Sequence, residues 1–179
     1  MKSLILLGCL FVAAVAPAQK FISETSNVKF FSKATIEDIS ATNVKSMCLF
    51  NTASGEIAFV IPIREFQFEK SLMQEHFNEK YLETEKFPKS TFQGKLIGYV
   101  PDAKGSQEVR AQGKLTIHGV TRDVDIPGTA DFDSHRVAFV SKFLVRLEDY
   151  SIPRPQVLWQ NIAEAVEVSI DFILKPYEK

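Results

Sequence analysis

Three histidines, one cysteine well inside the chain and a few grouped carboxylates are the side chains of this sequence that could do chemistry. His76, His118 and His135 stand in three unrelated contexts, without an H-x-H or H-x-x-x-H spacing. Nothing in that pattern brings ligands together at the ~2 Å a metal needs. Neither a glycine-rich phosphate loop nor a G-x-S-x-G nucleophile turn occurs. Asp123 and Asp125 share one face of a strand beside Arg122, and paired carboxylates on an exposed face are ordinarily solvated. Glu83, Glu85 and Lys86, just before Phe87-Pro88, resemble the charged end of a helix. Cys48 lies in a strand-like run, where a cysteine is more often a small buried apolar group than a nucleophile. The expectation is a protein that is not an enzyme, holding neither metal nor organic cofactor.

One loop has its own character. In Ile152-Pro153-Arg154-Pro155-Gln156-Val157-Leu158-Trp159 two prolines bracket an arginine, which excludes a central strand. Trp159 could plug the mouth of a barrel, with Arg154 facing a ligand head group. The plainer alternative is a long connection that packs Trp159 on the core.

These residues hang on a chain whose dominant period is two. From Val109 to His118 the odd positions, including Val109, Ala111 and Leu115, are apolar or small, and the even ones are polar. Val166, Val168, Ile170, Phe172 and Leu174 alternate in the same way. So do Val137, Phe139, Phe143, Val145 and Leu147, with Lys142, Arg146 and Glu148 on the other side. Ile57, Phe59, Ile61 and Ile63 make a further dry face, and Phe92, Leu96 and Val100 another. Shorter or noisier extended segments lie near 20–31, 34–40, 44–51 and 122–132. Turn residues separate the runs at Ala53-Ser54-Gly55, Pro101 to Gly105, His118-Gly119 and Asp133-Ser134-His135. One segment breaks the period. Ser71 and Gln74 fit a capping box, and Leu72, Met73, His76, Phe77 and Tyr81 then recur at helical spacing before Pro88. The pattern predicts a helix of two to three turns laid over one end of an antiparallel barrel.

Consecutive, short-linked strands favour an up-and-down barrel of eight strands, because closure removes the exposed edges of an open sheet. A barrel of that size is filled by its own side chains or holds one small guest. Fifteen phenylalanines against four tyrosines and one tryptophan suit a dry interior. Ala111 and Gly113, beside Ser141, are inward positions too small to meet across the middle.

The first eighteen residues read as a signal peptide. Lys2 precedes twelve unbroken apolar or small residues, Leu4 to Val15, and Ala16-Pro17-Ala18 is a small-x-small cleavage site. As a helix that run would rise only ~18 Å, against a hydrocarbon core of ~30 Å. Cleavage is expected after Ala18, and a lipid attached at Cys9 is the rival reading. Residues 19–179 then form one domain in the periplasm or outside the cell, without a disulfide framework, since Cys48 is its lone thiol. A net charge of -1 with scattered signs offers nothing to nucleic acid, and no later stretch is long and apolar enough to span a membrane.

Met73 to Gly94, with His76-Phe77-Asn78-Glu79-Lys80-Tyr81 and Phe87-Pro88-Lys89-Ser90-Thr91-Phe92, resembles the YceI-like family. So do Gly113-Lys114-Leu115-Thr116-Ile117-His118-Gly119-Val120-Thr121-Arg122 and Phe143 to Ile152. The resemblance implies a lipocalin-like barrel in the periplasm that binds a polyisoprenoid or another long apolar chain through apolar lining. Glu24-Thr25-Ser26-Asn27 departs from the Asp-x-x-His-Ser pattern of relatives, and the loop with Pro153 and Pro155 looks particular to a subgroup. The expected lumen is lined by Ile57, Phe59, Ile61, Met73, Phe77, Phe92, Leu96, Val109 and Ala111. Leu115, Phe139, Phe143, Val145, Trp159, Val168, Ile170 and Phe172 complete it. The expected partner is a polyisoprenoid, quinone or fatty-acyl chain rather than nucleic acid, and a homodimer is left open. The alternative is a filled barrel that acts as a stress-linked or protein-binding module.

Overall fold

The computed structural model describes residues 19–33, 38–100, 103, 105–133, 135–153 and 163–178. The eighteen residues of the expected signal peptide, and Arg154 and Trp159, lie outside them. Ten strands run in chain order: β1 Lys20–Ser32, β2 Ile39–Asn43, β3 Met47–Asn51, β4 Glu56–Pro62, β5 Gln67–Phe68, β6 Lys89–Ile97, β7 Gly105–Ile117, β8 Val120–Asp133, β9 Arg136–Arg146 and β10 Ala165–Pro176. Eight of them close an antiparallel ring in the order β1, β3, β4, β6, β7, β8, β9, β10 and back to β1. The closing contact is long, from Phe21↔Pro176 to Phe31↔Glu167, so the barrel has no free edge there.

β2 and β3 are one interrupted strand. Ile22↔Leu49 and Val28↔Asn43 keep a single register on β1, and the break spans Val44 to Ser46. β1 bulges at Glu24, between Ser23↔Leu174 and Thr25↔Ile173. Beside the bulge the Cys48 N–H donates to Ser23 Oγ at 3.1 Å, so the kinked wall keeps its backbone bonded. β5 extends the sheet beyond β2.

The long β7–β8 hairpin turns through two residues. His118 (φ 50°) and Gly119 (φ 76°) both take positive φ, as a type I′ turn requires. Gly119 has no alternative, because a Cβ there would lie 2.5 Å from the Phe87 ring. The segment near 122–132, noisy by sequence, belongs to the longest strand, with Val124, Ile126, Ala130 and Phe132 inward and Gly128 continuing that face without a side chain.

α1, Ser71–His76, continues as a wider, π-type turn over Phe77–Tyr81 and crosses one barrel end. Three expectations need correction. Lys70, not Ser71, occupies the cap position, and Gln74 Oε1 instead accepts the Phe68 N–H at 3.4 Å. Leu72 is 59 % exposed and so stands off the face that the helix turns to the barrel. Val100 lies beyond the end of β6 and is 57 % exposed, so it contributes nothing to the dry face.

Candidate ligand-binding site

The barrel is solid at one end and hollow at the other. At the solid end Phe50 meets Phe139 edge-on at 5.2 Å and Tyr99 at 5.5 Å, and Tyr99 stacks on Phe132 at 5.6 Å. Such edge-to-face and offset pairs fill volume while matching ring quadrupoles. At the other end Phe30, Phe66, Phe68 and Phe77 ring the opening. Phe77 stacks on Phe30 at 5.3 Å and meets Phe66 and Phe68 at 5.6 and 5.0 Å. Through Phe77 the helix is pinned to β1 and β5.

Beneath that aromatic ring lies a cavity of about 150 Å³. β1 contributes Val28 and Phe30, β10 Val166 and Val168, and β9 Phe143 and Val145, while Met73, His76, Phe77 and Tyr81 hang from the helical segment. A second cavity of about 70 Å³ lies deeper, walled by Ile57, Phe59, Phe92, Leu96, Val109, Ala111, Phe139 and Ile170. The two share Ile61, Leu115 and Phe143, which form the partition between them. Ala111 and Ser141, small at inward positions, both border the inner cavity, as does Gly128.

Apart from His76, the described wall residues carry no charge-bearing group. Its polar groups are few. Ser90 is 4 % exposed and its Oγ has no hydrogen-bond partner, while Ser32 Oγ accepts the Ala163 N–H at 3.1 Å. Burial raises the Tyr81 phenol above its ordinary value, as desolvation does to any group that ionises to an anion. Cys48 is fully buried in β3, and burial pushes its thiol well up, which keeps it from acting as a thiolate.

At the covered end, a polar clamp ties turns together. His118 is buried, its Nε2 lies 3.1 Å from Glu83 Oε2, and its Nδ1 faces the Tyr150 carbonyl at 3.3 Å. Phe87 packs edge-on against the imidazole at 4.5 Å. Hydrogen bonds from Lys86 first, and then from His118, hold the Glu83 carboxyl below its ordinary value. Glu83 itself sits at φ 42°, so this clamp fixes a strained turn directly after the helical segment. On the outer wall Asp123 and Asp125 pair across the hairpin with Lys114 at 2.9 Å and Arg110 at 2.7 Å. Among the described residues, no three histidine, cysteine or carboxylate side chains group as metal ligands would.

Of the residues expected to line the lumen, fifteen border one cavity or the other. Phe172 points inward but is packed solid against Phe59 at 5.0 Å. Trp159 lies outside the described residues. The lining contributed by β1, β2, β5 and the Ile63–Phe66 turn was missed. Val28-x-Phe30-x-Ser32 does alternate, but the outward Phe31 beside it blurs the pattern, and β5 is two residues long.

Comparison with known proteins places the chain. A model of the YceI-like domain matches residues 16–174. The chain belongs to the YceI-like family. Among solved structures, the chain is similar to a polyisoprenoid-binding domain from Saccharophagus degradans implicated in plant cell wall breakdown. The identity is 16 %, the TM-score 0.76, and the match covers 88 % of this chain and 98 % of that one. Burkholderia cenocepacia BcnA is similar at 17 % identity and TM-score 0.68, over 83 % and 95 % of the two chains. The Campylobacter jejuni YceI protein follows at 14 % and 0.55, over 100 % and 94 %. At such identities the likeness speaks to the YceI-like fold. A search of curated proteins finds no significant match.

Proposed function

We propose that this YceI-like protein is an exported carrier that holds the chain of a polyisoprenoid, quinone or similar long lipid inside its barrel, and that it binds rather than catalyses. The observation that carries this reading is the apolar hollow under α1, walled by aromatic and branched side chains. Ligand sites have this character, and burial of a chain gains ~0.8 kcal/mol per CH₂ without any specialised residue. Among the described residues the wall holds no lysine, arginine or carboxylate, which suits a guest whose inner part is uncharged. Ser90 Oγ, which meets no hydrogen-bond partner among the described residues, serves as a hydrogen-bond donor to such a guest. The Saccharophagus degradans relative, a polyisoprenoid-binding domain, supports the ligand class.

Size sharpens the proposal. A dry cavity of about 150 Å³ holds a guest the size of benzene. Pockets for drug-sized ligands run to ~300–1,000 Å³. A long chain therefore needs the two cavities joined by rotation of Phe143 or Leu115 at their partition. A filled barrel without a guest would explain the Phe50 end but not the hollow one.

Native mass spectrometry of protein purified from its own host is expected to show a lipid adduct that organic extraction removes. The emptied protein should then take up all-trans-retinol, a fluorescent isoprenoid. Repeated recovery without adduct, together with no retinol uptake, would refute the carrier. The amino terminus of the exported protein is expected at Gln19, which terminal sequencing checks.

A further inference from the structure

The barrel wall is not zipped along its whole height. β8 and β9 pair from Asp133↔Arg136 only as far as Gly128↔Ser141, so among the described residues Val120–Pro127 and Lys142–Arg146 face each other without a ladder. Both strands keep their other neighbours throughout this stretch, so the parting is confined to one seam. It begins at Pro127, a residue with no N–H to offer a ladder. Two bonds mark its limits: Ser141 Oγ donates to the Pro127 carbonyl at 2.6 Å, and Arg122 Nε donates to the Asp149 carbonyl at 2.8 Å.

Outside the seam runs a groove of about 800 Å³. Its floor includes Leu115, Phe143 and Val145, which are also wall residues of the large cavity, and Leu115 and Phe143 form the partition between the cavities. A single layer of apolar side chains thus separates the groove from the hollow. Leu144, 69 % exposed, supplies an apolar lip. The covered end of the barrel is harder to open, because lifting α1 would separate Phe77 from three other rings. Parting the seam breaks no inter-strand ladder.

From this we infer that the open seam between β8 and β9 is a side door through which an apolar chain passes into the lumen, with Phe143 and Leu115 swinging aside as the gate. The inference rests on the carrier reading and specifies its route. A door alters rates in both directions and leaves the equilibrium alone, whereas a binding contact alters affinity.

The test closes the door reversibly. Asp125 and Leu144 would face each other if the ladder continued. The variant D125C/L144C, in a chain carrying C9S, is bridged with a short bis-methanethiosulfonate, with uptake and release of all-trans-retinol followed by stopped-flow fluorescence. Bridging should slow both rates at least tenfold while Kd stays within twofold, and reduction should restore them. D131C/A138C, a pair in the zipped part of the same two strands, is the control and should change neither rate when bridged. Unchanged rates in the bridged D125C/L144C protein would overturn the door, as would a loss of affinity in place of a loss of speed. Failure of the unbridged protein to take up retinol would overturn the carrier reading and the door with it. Wild-type circular dichroism of the unbridged variant confirms that it folds.

Discussion

Phe143 borders both cavities and the floor of the seam, while its neighbour Lys142 points outward and pairs with Glu167 at 2.8 Å. Adjacent residues on a strand thus report on opposite environments. Phe143→Asp would put an unpaired charge into a dry space and is expected to cost about 3–5 kcal/mol and abolish retinol uptake. Lys142→Asp, on the solvated wall, should cost no more than about 1 kcal/mol. Urea midpoints and retinol titration measure both, and equal losses would reverse the assignment of inside and outside. A second residue-scale contrast separates space from backbone strain. Gly105 (φ 90°) and Gly119 (φ 76°) are both left-handed, but a Cβ at Gly105 meets nothing within 4 Å, whereas at Gly119 it strikes Phe87. Both alanine variants pay the left-handed penalty of ~1–2 kcal/mol. Gly119→Ala should lose roughly 1–3 kcal/mol more through overpacking. Matching losses from chemical denaturation would show that Phe87 yields freely.

At the scale of elements, the His118-Gly119 turn, the turn at Glu83 and the turn carrying Tyr150 meet in one clamp beside the helical lid. Because Glu83 sits below its ordinary value of 4.5 when folded, its contribution to stability is complete above that value. It fades as the pH falls through the lower, folded-state value. Glu83→Gln is therefore expected to be less stable than wild type near pH 7, with the gap narrowing at an acid pH below 4.5 as the wild-type carboxylate protonates. Urea midpoints at the two pH values test this, and a gap of constant size would mean that the carboxylate pairing contributes nothing. This clamp was illegible in the sequence: Glu83 and His118 are thirty-five positions apart, and only the folded hairpin brings them together. Strands with a strict period, such as β7 and β10, could be read directly, because one face is wet and the other dry. β2 and β3 read only as short, noisy extended segments, since the break over Val44 to Ser46 interrupts their period, and β5, two residues long, has no period to detect. The unzipped seam was barely visible. Val124 and Ile126 alternate as in any strand, and Pro127, which offers no N–H to a ladder, is the one local sign in β8 of where the pairing ends.

The whole molecule is asymmetric: aromatic packing completes one end, and the other keeps a void beneath a lid. Close packing is the norm for protein interiors, and an apolar void forfeits dispersion contacts along its lining. The empty barrel is thus less stable than its own fold allows, and a guest that fills the hollow returns those contacts. A ligand that binds only the folded state stabilises it by about 2.7 kcal/mol when present at a hundred times Kd. In a domain of this size that corresponds to a rise in Tm of roughly 5–10 °C. Protein stripped of lipid by organic extraction and refolded should melt that much lower than protein reloaded with retinol. Phe143→Trp, which adds bulk at the partition, should raise the melting point of the empty form and shrink the increment that retinol brings. Scanning calorimetry on the four samples decides the matter. A stripped protein that melts where the loaded one does would mean that the hollow collapses without cost, leaving neither an energetic vacancy nor a place for a guest.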